Sequence, residues 1–161
     1  MKEICNFFGK DVLREVREKE FMEALPNLRG KVSDRAILRA IHFYQENKRV
    51  QQQKKALQEN DFDAFLRLTT RSGYSSWMYL QNISPAGATQ HQEVAVALAM
   101  CDTLLNGRGA YRVHGGGFAG TVQAFVPVDI LEEFKNGIER VLGEGSCHVL
   151  SIRNEGGVRL R

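Results

Sequence analysis

The sequence predicts an α+β fold in which helices cover an antiparallel sheet of four strands. Apolar residues recur at helical spacing through most of the first 106 residues, and the pattern becomes strand-like alternation after Gly107. The chain has 161 residues, with 43% hydrophobic and 25% charged residues, which is ordinary for a globular domain. No internal repeat or linker interrupts it, so we expect one domain over residues 1–161.

The helical part begins with a mixed stretch to residue 32 and then carries three helices. Ser33 is a suitable N-cap for a long helix, and Asp61 is a suitable N-cap for the next one. The third helix is predicted over about residues 88–106, with Gly107 as a left-handed terminator. Two neighbouring apolar stripes on the long helix are formed by Ile37, Ile41 and Tyr44 and by Ala36, Phe43, Val50 and Leu57. The apolar stripe of the third helix is formed by Val94, Leu98, Cys101 and Leu105.

The strand-like segments all follow the third helix. They are "AYRVH" (110–114), "GTVQAFV" (120–126), "CHVLSI" (147–152) and "GVRLR" (157–161). A helix over 129–142 separates the second segment from the third, and Asp129 with Glu132 forms a capping-box-like pair at its start. Its inward residues are predicted to be Leu131, Phe134, Ile138 and Val141. Gly143 ends that helix.

Composition excludes several classes of protein. The net charge of +3 is mild, and glutamines interrupt the densest basic group, so we expect a solvated helix face and no nucleic-acid partner. Three widely spaced cysteines form no disulfide framework, and the four histidines show no metal-ligand spacing. No apolar run approaches the roughly 20 residues that span a bilayer, and the N-terminus lacks a signal-peptide core. These features predict a soluble, cytoplasmic protein without a membrane partner.

The stretch "RVHGGGFAGTVQAFVP" (112–127) places three consecutive glycines between two predicted strands. Gly115, Gly116 and Gly117 can adopt positive φ and direct successive N–H groups into one concavity, which is a nest for anions such as phosphate. No Gly-Lys-Ser/Thr follows, so this is not a Walker loop. A tight turn between strands is the alternative interpretation.

The same stretch resembles the third conserved motif of the GHMP sugar kinases, in the Gly-Gly-Gly-Phe-x-Gly form typical of galactokinases. The segment over 37–76 resembles the helix pair of that family, with its Arg-Ala-x-His-like and Glu-Asn-x-Arg-Val segments and a Ser-rich turn. The segment "ICNFFGKDVLREV" (4–16) resembles the start of a galactokinase C-terminal domain. The chain departs from the family pattern in three places. His114 stands where Thr is usual, and Ala119 replaces a glycine. The segment "SGYSSWMYLQNISPAGATQHQ" (72–92) differs from the Ser-His-x-Ser-Leu pattern of most galactokinases.

The resemblance implies the C-terminal domain of a galactokinase-type enzyme, with a ferredoxin-like arrangement. Such an enzyme uses ATP and Mg²⁺ to phosphorylate the anomeric hydroxyl of galactose or a related sugar. The family's Glu-His-x-Asp sugar motif, Ser-rich phosphate loop and catalytic Asp belong to an N-terminal domain, and none of them occurs in this sequence.

We therefore expect no catalytic residue, no metal ligand and no tightly bound cofactor in this chain, and no activity of the chain alone. ATP and sugar would be met through the missing N-terminal domain, and the exposed interdomain face predicts self-association. The alternative function is a non-catalytic domain that senses sugar or nucleotide, or regulates a partner kinase or transcription.

The resemblance also implies which residues form the phosphate or substrate site. The phosphate or substrate loop would be formed by Gly115, Gly116, Gly117, Phe118 and Gly120. Within it, Phe118 is interpreted as a wedge that shapes the loop. Candidates for lining the cleft are His114, Thr121, Ser72, Ser75 and Ser76, each with an ordinary structural role as the alternative.

Overall fold

The computed structural model describes residues 1–118, 120–152 and 154–156. In these ranges the α-helices are α1 (Lys2–Phe7), α2 (Glu18–Leu28), α3 (Asp34–Gln58), α4 (Phe62–Ser75), α5 (Glu93–Leu105) and α6 (Leu131–Leu142). The strands are β1 (Ala110–His114) and β2 (Thr121–Phe125). Short helical segments are two 3₁₀ turns, Leu13–Glu15 and Val128–Ile130, and a π-helical segment, Ser76–Leu80.

Both predicted N-caps are confirmed. The Ser33 side chain accepts a hydrogen bond from the N–H of Ala36 at 3.2 Å, and the Asp61 carboxylate accepts one from the N–H of Ala64 at 2.9 Å. Each bond satisfies an N–H group that the first turn of a helix leaves without an intrahelical partner. Asn60 lies between the end of α3 and the N-cap Asp61 and adopts φ 55°. The chain reverses there, and α3 and α4 pack side by side.

The N-terminal elements form one hydrophobic core against α3. Its buried residues are Ile4, Cys5, Leu13, Val16, Phe21, Leu28, Ala36, Ile37, Ala40 and Tyr44. The Tyr44 hydroxyl donates to the carbonyl of Val16 at 2.8 Å, which satisfies its polar end within the core. The second apolar stripe of α3 is buried at its start only, since Val50 and Leu57 are more than half exposed.

A second core joins α5, the strands and α6. The predicted stripe of α5 is confirmed, because Val94, Leu98, Cys101 and Leu105 are all buried. The helix begins at Glu93, later than predicted, and its left-handed cap starts at Asn106, one residue before Gly107.

The sheet among the described residues has two strands, which corrects the prediction of four. β1 and β2 pair antiparallel from Ala110 opposite Phe125 to His114 opposite Thr121. Residues 147–152 form no strand, and residues 157–161 lie outside the described residues. Alternating apolar residues at 147–152 resembled a strand, but a strand also needs a paired backbone, and the side chain of Ile152 is 86% exposed.

The start of α6 differs from its prediction because Asp129 has another partner. The carboxylate of Asp129 accepts two hydrogen bonds from Arg108, at 2.8 and 2.6 Å, and a 3₁₀ turn precedes the helix. The hydrogen bonds from Arg108 are the largest cause that lowers the pKa of Asp129, and the positive charge of Arg108 lowers it further. Phe134 and Ile138 are buried as predicted, whereas Val141 is 49% exposed.

A close approach of backbones sets the position of β1 relative to α4. A Cβ atom on Gly73 would lie 3.0 Å from the carbonyl oxygen of Tyr111 and 3.1 Å from the Cβ of Arg112. Glycine therefore lets the helix and the strand meet more closely than any other residue would. In the part of the chain that the structure describes, no helix is both long enough and apolar enough to cross a membrane.

Candidate functional site

The glycine loop forms the tip of the β1–β2 hairpin. His114 pairs with Thr121 at the end of the ladder, and residues 115–120 connect them. Gly115, Gly117 and Phe118 adopt φ of 70°, 81° and 61°. This backbone favours glycine at the first two positions, since residues with a Cβ adopt positive φ at a cost.

Asn82, which follows the π-helical segment, holds the inner side of this loop. Its carbonyl oxygen accepts a hydrogen bond from the N–H of Phe118 at 2.7 Å, and its side-chain Nδ2 donates to the carbonyl of Gly116 at 3.2 Å. Asn82 also occupies the space that a Cβ of Gly117 would need, with its Nδ2 only 2.8 Å from that position. The loop is thus fixed on both sides of Gly117.

The outer side of the loop is open. No heavy atom lies within 4 Å of the position that a Cβ would take on Gly115 or Gly116. Among the hydrogen bonds between described residues, none uses the N–H groups of Gly116 and Gly117. Gly120 donates to the carbonyl of Gly117 at 3.1 Å and closes the turn. Free N–H groups on an open backbone suit an anion such as a phosphate oxygen.

Other candidate residues of the loop lie on its rim. Phe118 is 42% exposed. Its backbone is bound to Asn82 and its ring extends from the loop surface. His114 and Thr121 are exposed at the base of the hairpin. Their roles toward a ligand stay predictions.

The three candidate serines lie in a different environment. Ser72 and Ser75 belong to α4, and Ser76 begins the π-helical segment, so the predicted Ser-rich turn is helical. All three are at most 2% exposed. The Ser75 hydroxyl is 2.9 Å from Nδ1 of His42 on α3. Their contribution to a cleft stays a prediction, since in this structure they face the interior.

Ser72 links three elements through a chain of hydrogen bonds. Its hydroxyl donates to the carboxylate of Glu46 on α3 at 2.6 Å and accepts from Arg112 Nη1 on β1 at 2.8 Å. Arg112 Nε donates to the carbonyl of Val113 at 3.0 Å. Glu46 also forms an ion pair with Arg49 one turn further along α3. The strand that leads into the glycine loop is therefore tied to both helices.

Positive charge dominates this interior network. Burial lowers the pKa of Arg112, and burial together with the charges of Arg71 and Arg112 lowers the pKa of Arg49. Burial, opposed by a hydrogen bond of the ring with the backbone of Ser75, also lowers the pKa of His42. A neutral His42 is therefore favoured beside these arginines.

Two shallow grooves flank Arg67 and Arg71 of α4, with volumes of about 390 and 320 Å³. Neither is lined by residues of the glycine loop. No group of three or more His, Cys, Asp or Glu side chains converges for a metal ion among the residues that the structure describes.

Sequence reasoning located the glycine loop and missed the residues that support it. Asn82, Glu46 and Arg112 reach their partners across 26 to 40 residues of chain, and such contacts leave no periodic signal. The available signal was local: Arg112 interrupts an otherwise apolar start of β1, and Glu46 belongs to the Glu-Asn-x-Arg-Val segment.

The described residues define a β-hairpin with a glycine tip, backed by helix α4, and phosphate binding at that tip stays a prediction. Comparison with known proteins finds similarity to galactokinases. The chain is 28% identical over 131 residues to the galactokinase of Actinobacillus pleuropneumoniae, covering 81% of this chain and 32% of that protein. It is 29% identical over 131 residues to the galactokinase of Mannheimia succiniciproducens, with the same shares covered. The Haemophilus influenzae galactokinase is 27% identical over 134 residues, covering 83% of this chain and 33% of that protein.

These relatives support a galactokinase-like C-terminal region of the GHMP type, as the sequence resemblance predicts. No family model matches the chain. The chain spans about a third of the length of the curated galactokinases it matches.

Proposed function

We propose that this chain is the C-terminal part of a galactokinase-type enzyme that transfers the γ-phosphate of ATP to the anomeric hydroxyl of galactose or a related sugar. The observation that carries the proposal is the glycine loop, because its backbone is open at Gly116 and no hydrogen bond between described residues uses the N–H groups of Gly116 and Gly117. Similarity to galactokinases supports the same chemistry. The role of the loop would be to hold phosphoryl oxygens as their charge develops.

The loop alone is too weak to sustain this activity. A backbone hydrogen bond on an open surface contributes about 0.5–1.5 kcal/mol, because water competes for each phosphate oxygen. A micromolar complex requires roughly 8 kcal/mol. We therefore propose that the isolated chain is inactive and binds nucleotide weakly. A second region of the protein that covers the loop would exclude water and strengthen the same bonds.

That second region would supply the remaining machinery. The glycine loop offers N–H donors, which fit a phosphate, and among the described residues no group of three or more His, Cys, Asp or Glu side chains converges to hold Mg²⁺. We place the Mg²⁺ ligands, the sugar site and the group that takes the hydroxyl proton in the N-terminal region. When bound with ATP, Mg²⁺ would neutralise charge on the β- and γ-phosphates.

The surface beside the loop has the character of the required interdomain face. Trp77 and Met78 on the π-helical segment are 44% and 56% exposed, and Phe118 on the loop is 42% exposed. The contact of Asn82 with Phe118 brings the segment and the loop together. We propose that these three side chains pack on the N-terminal region and that, without it, they promote self-association.

Reconstitution tests the proposed function. ADP release with ATP, Mg²⁺ and galactose would be measured for this chain alone, for the N-terminal region of the parent protein alone, and for their mixture. The uninterrupted parent protein is the positive control. We expect galactose-dependent turnover by the parent protein and by the mixture, and none by either part.

Turnover by the 161-residue chain alone would contradict the proposed division of labour. A parent protein that binds sugar or nucleotide without turnover would assign the chain to a sensing or regulatory protein instead.

A further inference from the structure

We propose that Asn82 is the positioning residue of the glycine loop, which it holds with the N–H groups of Gly116 and Gly117 directed outward for a phosphate. The inference rests on the proposed function, because it names the residue that prepares the same loop for its ligand. Asn82 itself is 4% exposed and lies on the inner side of the loop, so its action on a ligand would be indirect.

Two hydrogen bonds and one close contact carry this role. The bonds from Phe118 N–H to the Asn82 carbonyl and from Asn82 Nδ2 to the Gly116 carbonyl lie on either side of Gly117. Because a carbonyl oxygen only accepts, the atom that faces Gly116 is the amide nitrogen, and the orientation of the side chain follows from the bond. Because the C=O and N–H of a trans peptide point in opposite directions, a Gly116 carbonyl turned inward to Asn82 leaves the Gly117 N–H directed to the outer side.

Asn82 is itself held in place from two directions. Gln81 adopts φ 56° and its N–H donates to the carbonyl of Ser76 at 2.8 Å, which ends the π-helical segment. Two arginines of α3 donate to the preceding carbonyls, Arg39 to Leu80 at 3.3 Å and Arg35 to Gln81 at 3.4 Å. On the other side, Ile83 is 3% exposed in the second core. Asn82 is therefore held by contacts on both sides of it along the chain.

The unpaired Oδ1 of Asn82 argues for function over stability. This oxygen is buried and has no hydrogen-bond partner among the described residues. Folded proteins pair most buried polar atoms, and an unpaired one is destabilising. A residue selected for stability alone would be apolar or fully paired at this position. Asparagine at this position provides the Nδ2 donor that orients the Gly116 carbonyl, although the unpaired Oδ1 lowers stability.

Without this donor, the consecutive glycines would sample many backbone conformations. A ligand would then have to order the loop on binding, which weakens affinity. Positioning by Asn82 thus predicts a loss of affinity that is separate from a loss of folding.

The test uses the ¹⁵N-labelled 161-residue chain with inorganic tripolyphosphate as the probe, added to millimolar concentration. Asn82→Asp replaces Nδ2 by oxygen at constant shape, and Asn82→Ser shortens the side chain, so that its hydroxyl does not reach the Gly116 carbonyl, without adding charge. Asn136→Asp, at an exposed position on α6, is the control for charge. Amide shifts of Gly116 and Gly117, hydrogen exchange of the Phe118 amide and thermal unfolding are measured for each variant.

In the wild type and in Asn136→Asp we expect a protected Phe118 amide and shifts of Gly116 and Gly117 with tripolyphosphate. In both Asn82 variants, exchange at Phe118 should accelerate by about tenfold or more while cooperative unfolding is retained. Their dissociation constants for tripolyphosphate should rise about fivefold or more.

Equal loop exchange and affinity in Asn82→Ser and wild type would overturn the inference and leave the proposed function standing. Global unfolding of both variants would also overturn it, because Asn82 would then be a general stability residue. Absence of any loop shift in the wild type would overturn the anion-binding role of the loop, and this inference with it. Turnover by the reconstituted enzyme is measured independently of all three outcomes.

Discussion

Gly116 and Gly117 are adjacent in the loop but have opposite surroundings. A Cβ on Gly116 would meet open space, whereas a Cβ on Gly117 would overlap the carbonyl oxygen of Asn82. Gly117 also adopts φ 81°. The fold therefore requires glycine at 117, and a requirement for glycine at 116 would come from a ligand.

Alanine substitutions separate these two requirements. Gly117→Ala should lower the free energy of unfolding by about 1–3 kcal/mol, because it adds strain from positive φ and a clash with Asn82. Gly116→Ala should change it by no more than about 0.5 kcal/mol. Urea unfolding followed by circular dichroism gives both values. Equal losses at the two positions would mean that the loop does not rest on Asn82 as described.

Local signals in the sequence predicted much of the fold. Ser33 and Asp61 cap their helices through a local contact. In each case the side-chain oxygen accepts a hydrogen bond from an N–H three residues further on, in the first turn of the same helix. Asp129 carried the same signal and failed, because Arg108, distant in sequence, binds its carboxylate instead. The strand pattern at 147–152 failed for a related reason, since alternation of apolar residues says nothing about which strand would pair with it.

The candidate site was predicted in part for similar reasons. Three consecutive glycines between two strand-like segments indicate a loop, so the position of the loop between β1 and β2 could be predicted from the local sequence. The carbonyl of Asn82 and the guanidinium of Arg112 act across tertiary contacts. Local sequence patterns do not indicate which residues, distant along the chain, are in contact in the fold.

Leu98 tests the second hydrophobic core. It is 3% exposed on α5, so Leu98→Ala should lower the free energy of unfolding by about 2–5 kcal/mol through lost burial and the cavity left behind. Val96 on the same helix is 44% exposed, and Val96→Ala should change it by less than about 0.5 kcal/mol. The two variants are compared by denaturant unfolding. A loss below about 1 kcal/mol at Leu98 would show that the stripe is not a core face.

His42 predicts a pH dependence of stability. Burial, with smaller contributions from Arg49 and Arg112, holds the pKa of His42 below its usual value of about 6.5. The unfolded chain therefore binds this proton first as the pH falls. The stability contributed by neutral His42 is present above about pH 6.5 and is lost below it.

His42→Gln isolates this contribution, because other groups titrate equally in both proteins. Between about pH 7.5 and about pH 5.5, the wild type should lose more of its free energy of unfolding than the variant. The ring resonances of His42, followed by NMR, should titrate below those of an unstructured peptide. A larger loss in the variant would contradict the burial of a neutral ring.

Gly116→Val tests whether the open side of the loop serves a ligand. Because no atom lies near a Cβ at this position, the isolated chain should unfold with a free energy within about 0.5 kcal/mol of the wild type. In the parent protein of the proposed function, the valine side chain would occupy the space that we propose for a phosphoryl oxygen at the loop N–H groups. Loss of such backbone donors from a closed site costs about 100-fold or more in turnover, and we expect galactose-dependent ATP hydrolysis or transfer to fall by at least that factor.

Gln90→Val, at another exposed position outside helices and strands, is the matched control and should retain full turnover. Full activity of the Gly116→Val enzyme would show that phosphate does not bind on this side of the loop, since a branched side chain and the ligand cannot share that space.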